Sequence, residues 1–175
     1  MKVTLSTSRL ILRPWEKEDA EAMFNGWAND SEVVRYLTWP RHEDIAITKK
    51  LINIWIKEYE KPERLNFAVV KKENNELIGG IDVVGYLGGP QGTPVIGYCF
   101  AKKEWNKGYA TEACKCLLDY LFSKGYKEVR IDAMIENIGS NRVIQKCGGT
   151  FIKTEEQDRP LKNDKVTVNV YLVRR

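Results

Sequence analysis

The residues with the clearest chemical potential lie in one short stretch, 105–113, which reads Trp-Asn-Lys-Gly-Tyr-Ala-Thr-Glu-Ala. Apolar residues repeat at helical spacing from there to a stop signal at Gly125, so the stretch should begin a helix. The first N–H groups of a helix lack helical partners and carry partial positive charge, and Gly108 lets a ligand approach the backbone closely. The pattern predicts an anion site. It matches neither a Walker A loop nor GxGxxG, which argues against a P-loop nucleotide triphosphatase.

Histidine and cysteine usage argues against most other catalytic chemistry. His42 is the single histidine, so neither a histidine-rich metal site nor a Ser-His-Asp triad is expected, and no metal is predicted. The cysteines form no CxxC pair or regular framework, which predicts free, buried thiols. They are Cys99, Cys114, Cys116 and Cys147. The 28 Lys and Arg residues are interleaved with 24 Asp and Glu residues, which argues against a nucleic-acid partner.

The elements that must position this stretch follow from changes of hydrophobic period along the chain. Before it, the pattern predicts a strand at 10–13, three helical segments beginning near Asp19, Asp30 and Glu43, a hairpin of 66–70 with 77–84, and a strand at 95–101. After it, the pattern predicts a helix at 109–124, a strand at 129–134, a short helix at 140–147 and strands at 151–152 and 166–173. This order indicates an α+β fold in which helices cover a mixed sheet.

Length and composition indicate a single domain spanning residues 1–175. A chain of 175 residues with 43% hydrophobic and 30% charged residues can bury a complete core without disulfides or metals. The segment from Met1 to Arg9 lacks the apolar core of a signal peptide, and no later stretch is apolar enough to span a bilayer. A cytoplasmic location without a membrane partner is therefore expected.

The 105–113 stretch strongly resembles the pyrophosphate loop of GNAT N-acetyltransferases, in the branch of ribosomal-protein N-terminal (serine/alanine) acetyltransferases. Four further segments resemble the family in the family's order, namely 9–15, 36–40, 96–98 and 137–148. The resemblance implies a central mixed, mostly antiparallel sheet of about seven strands with helices on both faces. It also implies that acetyl-CoA is the co-substrate.

The same resemblance assigns the coenzyme-binding residues. Backbone N–H groups hold the pyrophosphate at Lys107, Gly108, Tyr109, Ala110 and Thr111. Phe100 and Ala101 pair their backbone with the pantetheine arm, and the Phe100 N–H polarises the thioester carbonyl. Asn137 hydrogen-bonds the pantetheine, or it serves as an ordinary helix N-cap.

The proton-transfer groups are less clear from the resemblance. Ile144 replaces the tyrosine acid of many relatives, so Ser140 is the expected acid, acting directly or through a water molecule. Val95 replaces a carboxylate often found at its position in the central strand. Asp82, Glu136 or a water relay remain as the base.

By the same resemblance, Tyr36, Trp39 and His42 lie in the region that lines the acceptor side, where Tyr36 and Trp39 form walls of the acceptor pocket or are ordinary core residues. The expected acceptor is a protein N-terminal amine. Acetylation of a small amine, such as an antibiotic or polyamine, is the alternative, and a non-catalytic acyl-CoA-binding module is a third possibility. The expected oligomeric state is a monomer or a homodimer.

Overall fold

The computed structural model describes residues 2–61 and 64–175; Met1, the first residue of the N-terminal segment considered above, lies outside them. The strands are β1 (Leu5–Ser6), β2 (Leu10–Arg13), β3 (Asn66–Lys71), β4 (Leu77–Leu87), β5 (Thr93–Phe100), β6 (Glu128–Met134), β7 (Thr150–Arg159) and β8 (Asp164–Arg174). The α-helices are α1 (Asp19–Met23), α2 (Ser31–Val34), α3 (Ile45–Glu58), α4 (Tyr109–Ser123) and α5 (Ile138–Lys146).

The strands form one mixed sheet in the order β1-β2-β3-β4-β5-β6-β8-β7. Every neighbouring pair is antiparallel except β5 and β6, which run parallel. The predicted mixed, mostly antiparallel sheet is confirmed. It has eight strands rather than about seven, because Leu5 and Ser6 pair with Leu12 and Ile11 as a short edge strand.

Helices cover both faces of the sheet, as predicted, and each face has its own core. On what we call the α4 face, the buried side chains of α4 and α5 pack against apolar residues of the central strands. On what we call the α3 face, α1, α2 and α3 enclose Trp15, Trp27 and Ile52. Side chains alternate along each strand, so neighbouring residues of one strand serve different cores.

Two of the predicted elements differ most from the sequence prediction. The first helix continues beyond Met23 as a π-helical turn, Phe24–Ala28. Strand β7 is ten residues long rather than the predicted 151–152, because its acid-rich half pairs with β8 as far as Arg159 and Asp164. Hydrogen bonds to polar side chains on β6 compensate those charges, which composition alone does not reveal.

The functionally important feature of the sheet is a gap between β5 and β6. Their described residues pair only at Val95 with Arg130 and at Ile96 with Ile131. Strand β5 continues to Phe100 and β6 to Met134 without further pairing between them. The sheet therefore opens at the centre. None of the helices within 2–61 and 64–175 is long and apolar enough to cross a membrane.

Candidate active site

The edge of β5 directs backbone groups into the gap. Ala101 donates its N–H to the Ile78 carbonyl at 2.9 Å, and its own carbonyl accepts from Glu104. Because hydrogen-bonded and non-hydrogen-bonded pairs alternate along an antiparallel ladder, the Phe100 N–H points away from β4 and toward β6. The Phe100 carbonyl accepts from the Trp105 indole at 2.9 Å. The Phe100 N–H is therefore the backbone donor aimed at the gap.

The start of α4 presents the predicted anion-binding geometry on the α4 face. Gly108 precedes the helix with φ of 83°, a left-handed conformation that favours glycine. The first hydrogen bond of the helix runs from the Glu112 N–H to the Gly108 carbonyl at 3.0 Å. The N–H groups of Tyr109, Ala110 and Thr111 precede that bond and are free of helical partners. Together with the helix dipole they favour an anionic ligand.

Arg9, in the turn between β1 and β2, holds the start of α4 in place. Its Nη1 donates to the Lys107 carbonyl at 3.1 Å, and its Nε donates to Glu112 Oε2 at 2.7 Å. The guanidinium also lies 4.4 Å from the Tyr109 ring centroid. Arg9 belongs to the 9–15 segment that resembles the family, but its role could not be predicted from the sequence, because the contact joins residues about 100 positions apart.

The start of α5 faces β5 across the same opening. The Asn137 Oδ1 accepts from the Ser140 N–H at 3.1 Å, which confirms its N-cap role. The Ser140 Oγ lies 2.8 Å from the Tyr98 hydroxyl, which also approaches the Ser140 carbonyl. Burial raises the pKa of Tyr98 well above its usual value, so this hydroxyl stays protonated. The contact between Tyr98 and Ser140 was not predicted from the sequence. The available signal was that Tyr98 lies two residues before Phe100 in β5, so both side chains point to the same face of the sheet.

One cavity of about 1090 Å³ runs along the gap and includes residues from both faces. Seven of the nine residues to which the sequence assigned coenzyme binding or the acid role line it, namely Phe100, Gly108, Tyr109, Ala110, Thr111, Asn137 and Ser140. Arg142 and Lys146 of α5 also line it and add positive charge, which sequence analysis missed.

Two predicted coenzyme ligands, Ala101 and Lys107, do not line this cavity. Both backbone groups of Ala101 are used within the chain, because its N–H completes the β4–β5 ladder. The Lys107 carbonyl accepts from Arg9, and its Nζ lies 3.1 Å from Glu104 Oε2. The Ala101 backbone groups are therefore already paired, whereas the contacts of Lys107 involve its carbonyl and side chain, so that pyrophosphate binding by its N–H stays a prediction.

On the α3 face, Asp82 supplies a carboxylate at the gap. It pairs with Gly97 of β5, and a Cβ placed on Gly97 would lie 3.7 Å from Asp82 Oδ1 and 2.9 Å from Val84 Cγ1. The absence of a side chain at Gly97 thus leaves Asp82 open to the cavity. Burial raises the pKa of Asp82 to about 6, and Arg64, 3.5 Å away, opposes that rise. A carboxylate with this pKa can accept a proton near neutral pH.

The other carboxylates near the gap are less suited to proton transfer. Asp132 accepts from Arg130 through both oxygens at 2.8 Å and from Gln157 at 2.7 Å. Glu136 lies exposed where β6 ends, although it lines the cavity. Asp82 is therefore the stronger of the two base candidates found from the sequence.

The acceptor-side residues expected from the sequence separate into two groups. Tyr36 and Trp39 line the cavity. His42 does not line it; the side chain is buried, its Nδ1 lies 2.7 Å from Thr48 Oγ1, and its ring packs 4.6 Å from Trp39. Burial lowers the pKa of His42, so the ring is neutral at neutral pH. His42 supports the wall formed by Trp39.

The cysteines are free, as predicted, but only Cys114 and Cys147 are buried; Cys99 and Cys116 are partly exposed, contrary to the prediction. Cys99 lines the cavity on the α3 face. Burial raises the pKa of Cys99 to about 12, so the thiol is protonated at neutral pH. Because the thiolate is the nucleophilic form, Cys99 is a poor candidate for a covalent acyl carrier.

Comparison with known proteins agrees with this geometry. A family model for the acetyltransferase (GNAT) domain matches residues 9–150. The uncharacterized N-acetyltransferase p20 of Bacillus licheniformis is 33% identical over 136 residues, covering 76% of this chain and 73% of that protein. A GNAT-family acetyltransferase from Bacillus anthracis superposes with a TM-score of 0.83 at 27% identity, covering 98% of each chain.

A third relative shares the fold at lower identity. The Salmonella typhimurium acetyltransferase that modifies the N-terminal serine of 50S ribosomal subunit protein L7/L12 has a TM-score of 0.83 at 17% identity, covering 99% of each chain. The family model spans most of the sequence, and its match agrees with the structural likeness. The chain belongs to the GNAT family and is an acetyl-CoA-dependent N-acetyltransferase.

Proposed function

We propose that this protein transfers the acetyl group of acetyl-CoA to the α-amine of a protein or peptide N-terminus. The observation that carries the proposal is the placement of Asp82 on one face of the opened sheet and Ser140 with Tyr98 on the other. A base for the amine and an acid for the departing thiolate thus stand on opposite sides of the gap.

In the donor half, backbone groups bind the coenzyme. The pyrophosphate is held by the N–H groups of Gly108, Tyr109, Ala110 and Thr111, supported by the helix dipole. The pantetheine arm lies along β5, and Asn137 donates its side-chain NH₂ to it while its Oδ1 caps α5. The Phe100 N–H donates to the thioester carbonyl and stabilises negative charge on that oxygen.

In the acceptor half, a neutral amine attacks the thioester carbon, so that a C–N bond forms and the C–S bond breaks. Asp82 takes the proton lost from nitrogen, directly or through a water molecule. Ser140 delivers a proton to the sulfur and is reprotonated from solvent water, while the Tyr98 hydroxyl holds Ser140 Oγ in place through a hydrogen bond. The raised pKa of Tyr98 keeps that hydroxyl protonated for this role.

The preference for a peptide N-terminus over a polyamine or aminoglycoside rests on the charges of the acceptor wall. A polycation needs several unpaired carboxylates, but Asp132 and Glu155 both pair with Arg130 there, which leaves one net negative charge among the three groups. Tyr36 and Trp39 offer flat apolar surface instead. The similar fold of an enzyme that modifies a protein N-terminal serine supports the same choice.

Coenzyme A release, measured with N-terminal peptides and with a panel of small amines, tests the proposal. We expect turnover of peptides beginning with small residues to exceed that of polyamines and aminoglycosides at equal concentration. Turnover confined to small amines would contradict the N-terminal assignment. Acetyl-CoA binding without transfer to any acceptor would contradict the proposed activity as a whole.

A further inference from the structure

Asn66, at the start of β3, is a buried polar residue in the wall of the cavity. Only 4% of its surface is exposed, and it lines the cavity on the α3 face. Its Oδ1 accepts from the Trp15 indole at 2.9 Å, and its backbone carbonyl accepts from the Tyr59 hydroxyl at 2.7 Å. The same Tyr59 hydroxyl accepts a hydrogen bond from the backbone N–H of Trp15. Asn66 is therefore held on both its side chain and its backbone.

These contacts determine which atom of the Asn66 side-chain amide has no hydrogen-bond partner. An indole nitrogen can only donate, so the atom that meets Trp15 must be the oxygen of Asn66. The Nδ2 is then the other end, and it is buried without a hydrogen-bond partner among the residues that the structure describes. A buried donor without an acceptor is costly, which is why such groups are rare in folded proteins.

The sheet register places this donor beside the proposed base. Asn66 of β3 lies directly opposite Asp82 of β4, and Asp82 lies opposite Gly97 at the edge of the gap. Directly opposed residues of an antiparallel pair have Cβ atoms about 5 Å apart on the same face. The three residues form a row from the interior to the gap, with an amide donor next to a carboxylate.

We infer that Asn66 is a specificity residue that donates a hydrogen bond to the first carbonyl oxygen of the acceptor, while Asp82 receives the proton of its amine. The inference rests on the proposed function and narrows it to acceptors of the form H₂N–CHR–C(=O). In an α-aminoacyl group, two atoms lie between the amine nitrogen and the carbonyl oxygen, namely the α-carbon and the carbonyl carbon. This spacing suits two neighbouring side chains on one face of a sheet. Polyamines have no such oxygen.

The direct test compares two acceptors that differ only at this carbonyl. One is the tripeptide amide Ala-Ala-Ala-NH₂, and the other has its first peptide bond replaced by a trans alkene of the same shape. Rates are compared at equal concentrations of neutral amine, because the alkene raises the basicity of the amine. We expect the native protein to prefer the peptide by roughly tenfold in kcat/KM, as the loss of one buried hydrogen bond predicts.

The variant Asn66→Ala removes the donor. It should lower kcat/KM for the peptide, leave that for the alkene nearly unchanged, and bring the two values close to parity. Acetyl-CoA binding should be retained, because the groups proposed to bind the pyrophosphate lie on the α4 face of the sheet, away from Asn66. The control Trp27→Phe removes another buried, unpaired N–H from the wall of the same cavity. Trp27 lies in the helical layer of the α3 face and not in the row formed by Asn66, Asp82 and Gly97. It should preserve the ratio between the two acceptors.

A structural role for Asn66 would lower both rates together and leave their ratio intact, which would overturn the inference. Equal turnover of both acceptors by the native protein would also overturn it, even if Asn66→Ala fails to fold. In both cases the proposed N-terminal acetylation would stand. Binding of acetyl-CoA without turnover of either acceptor or of any other amine would instead remove the proposed function and the inference together.

Discussion

Asp82 combines two properties that a base for this reaction needs, a raised pKa and a route to the acceptor. Burial on the α3 face raises its pKa to about 6, while Arg64 and Glu58 act on it in opposite directions. The missing side chain at Gly97 opens the route. A carboxylate with this pKa is ionised at pH 7 and still basic enough to assist an amine.

The substitution Asp82→Asn tests this role through activity. We expect kcat to fall by about 100-fold or more, the usual contribution of a positioned base. The native pH profile should lose activity as pH falls through about 6, where Asp82 becomes protonated. Initial rates from pH 5 to 9 at saturating acetyl-CoA, compared at equal concentrations of neutral amine, would show this limb. If the limb persists in the variant, another group is the base.

The same substitution should stabilise the fold above pH 6. Because the pKa of Asp82 is higher in the folded than in the unfolded chain, the unfolded chain loses its proton first as pH rises. The native state therefore loses stability between about pH 4 and 6, by about 1–3 kcal/mol for a shift of this size. Thermal unfolding of both proteins at pH 4 and pH 7.5 would reveal the gain, which should be present only at the higher pH.

Individual residues were predictable where a motif carried them. Gly108 and Ser140 belong to contiguous segments whose local geometry determines their role, and both line the cavity. The partnership of Tyr98 with Ser140, and the access of Asp82 to the gap, depend on strand register between distant segments. Spacing along the chain does not specify register, so those features required the structure.

At the level of elements, the turn before α4 owes its shape to a left-handed residue, Gly108, and to contacts from Arg9, which directly precedes β2. Arg9 binds the Lys107 carbonyl and Glu112, which fixes the first turn of the helix against the sheet edge. Free N–H groups at a helix start bind an anion best when they need not be reorganised. This element therefore contributes mainly preorganisation.

The substitution Gly108→Ala should weaken acetyl-CoA binding by roughly tenfold, since a left-handed conformation costs an alanine about 1–2 kcal/mol. The turn can relieve that strain by moving its N–H groups. The added Cβ also lies 3.3 Å from Arg9 Nη2, a flexible group that can yield. Calorimetric titration with acetyl-CoA would measure the loss.

Gly125→Ala is the matched control, because Gly125 follows the other end of α4 with φ of 95° and has nothing near its missing Cβ. It should lower the melting temperature without weakening acetyl-CoA binding. Equal loss of affinity in both variants would indicate a general effect of helix destabilisation. Unchanged affinity in Gly108→Ala would show that this turn is not the pyrophosphate site.

The elements themselves followed well from hydrophobic periodicity. The helix predicted at 109–124 is observed as Tyr109–Ser123, because its apolar stripe is continuous and Gly125 ends it. The prediction was poorest for β7, whose second half alternates charged and amide side chains. Their hydrogen bonds to Arg130 and Asp132 are long-range contacts, and they replace the apolar signal that marks an ordinary strand.

At the scale of the whole molecule, the gap divides the sheet into a five-strand and a three-strand part joined by two residue pairs. A second connection crosses the acceptor side. Buried Arg159, at the end of β7, donates to the carbonyls of Arg35 and Leu37 at 2.8 and 3.1 Å and forms a bidentate pair with Asp164. This contact attaches the segment that carries Tyr36 and Trp39 to the opposite part of the sheet.

The substitution Arg159→Gln should therefore raise KM for the acceptor severalfold while leaving the affinity for acetyl-CoA unchanged. It should also lower the free energy of unfolding by about 1–3 kcal/mol, because carbonyls that had accepted from a charged donor lose it. Steady-state kinetics with each substrate varied, together with thermal unfolding, would separate the two effects.

Lys165→Gln is the control, because Lys165 is exposed on the same hairpin. Its ion pair with Asp158, at 3.6 Å, is also exposed and should contribute little to stability. It should change neither acceptor KM nor stability measurably. An Arg159→Gln variant with native acceptor kinetics would show that the α2–α3 segment holds its position without this contact.

The opened sheet also has a consequence for how such an enzyme can diversify. In the proposed assignment, main-chain atoms bind one substrate, and side chains such as Asn66, Asp82 and Trp39 recognise the other from the opposite face. Main-chain donors survive most amino-acid replacements, whereas recognition by side chains changes with each one. New acceptors can therefore be acquired by substitutions on the α3 face while the coenzyme site is inherited intact.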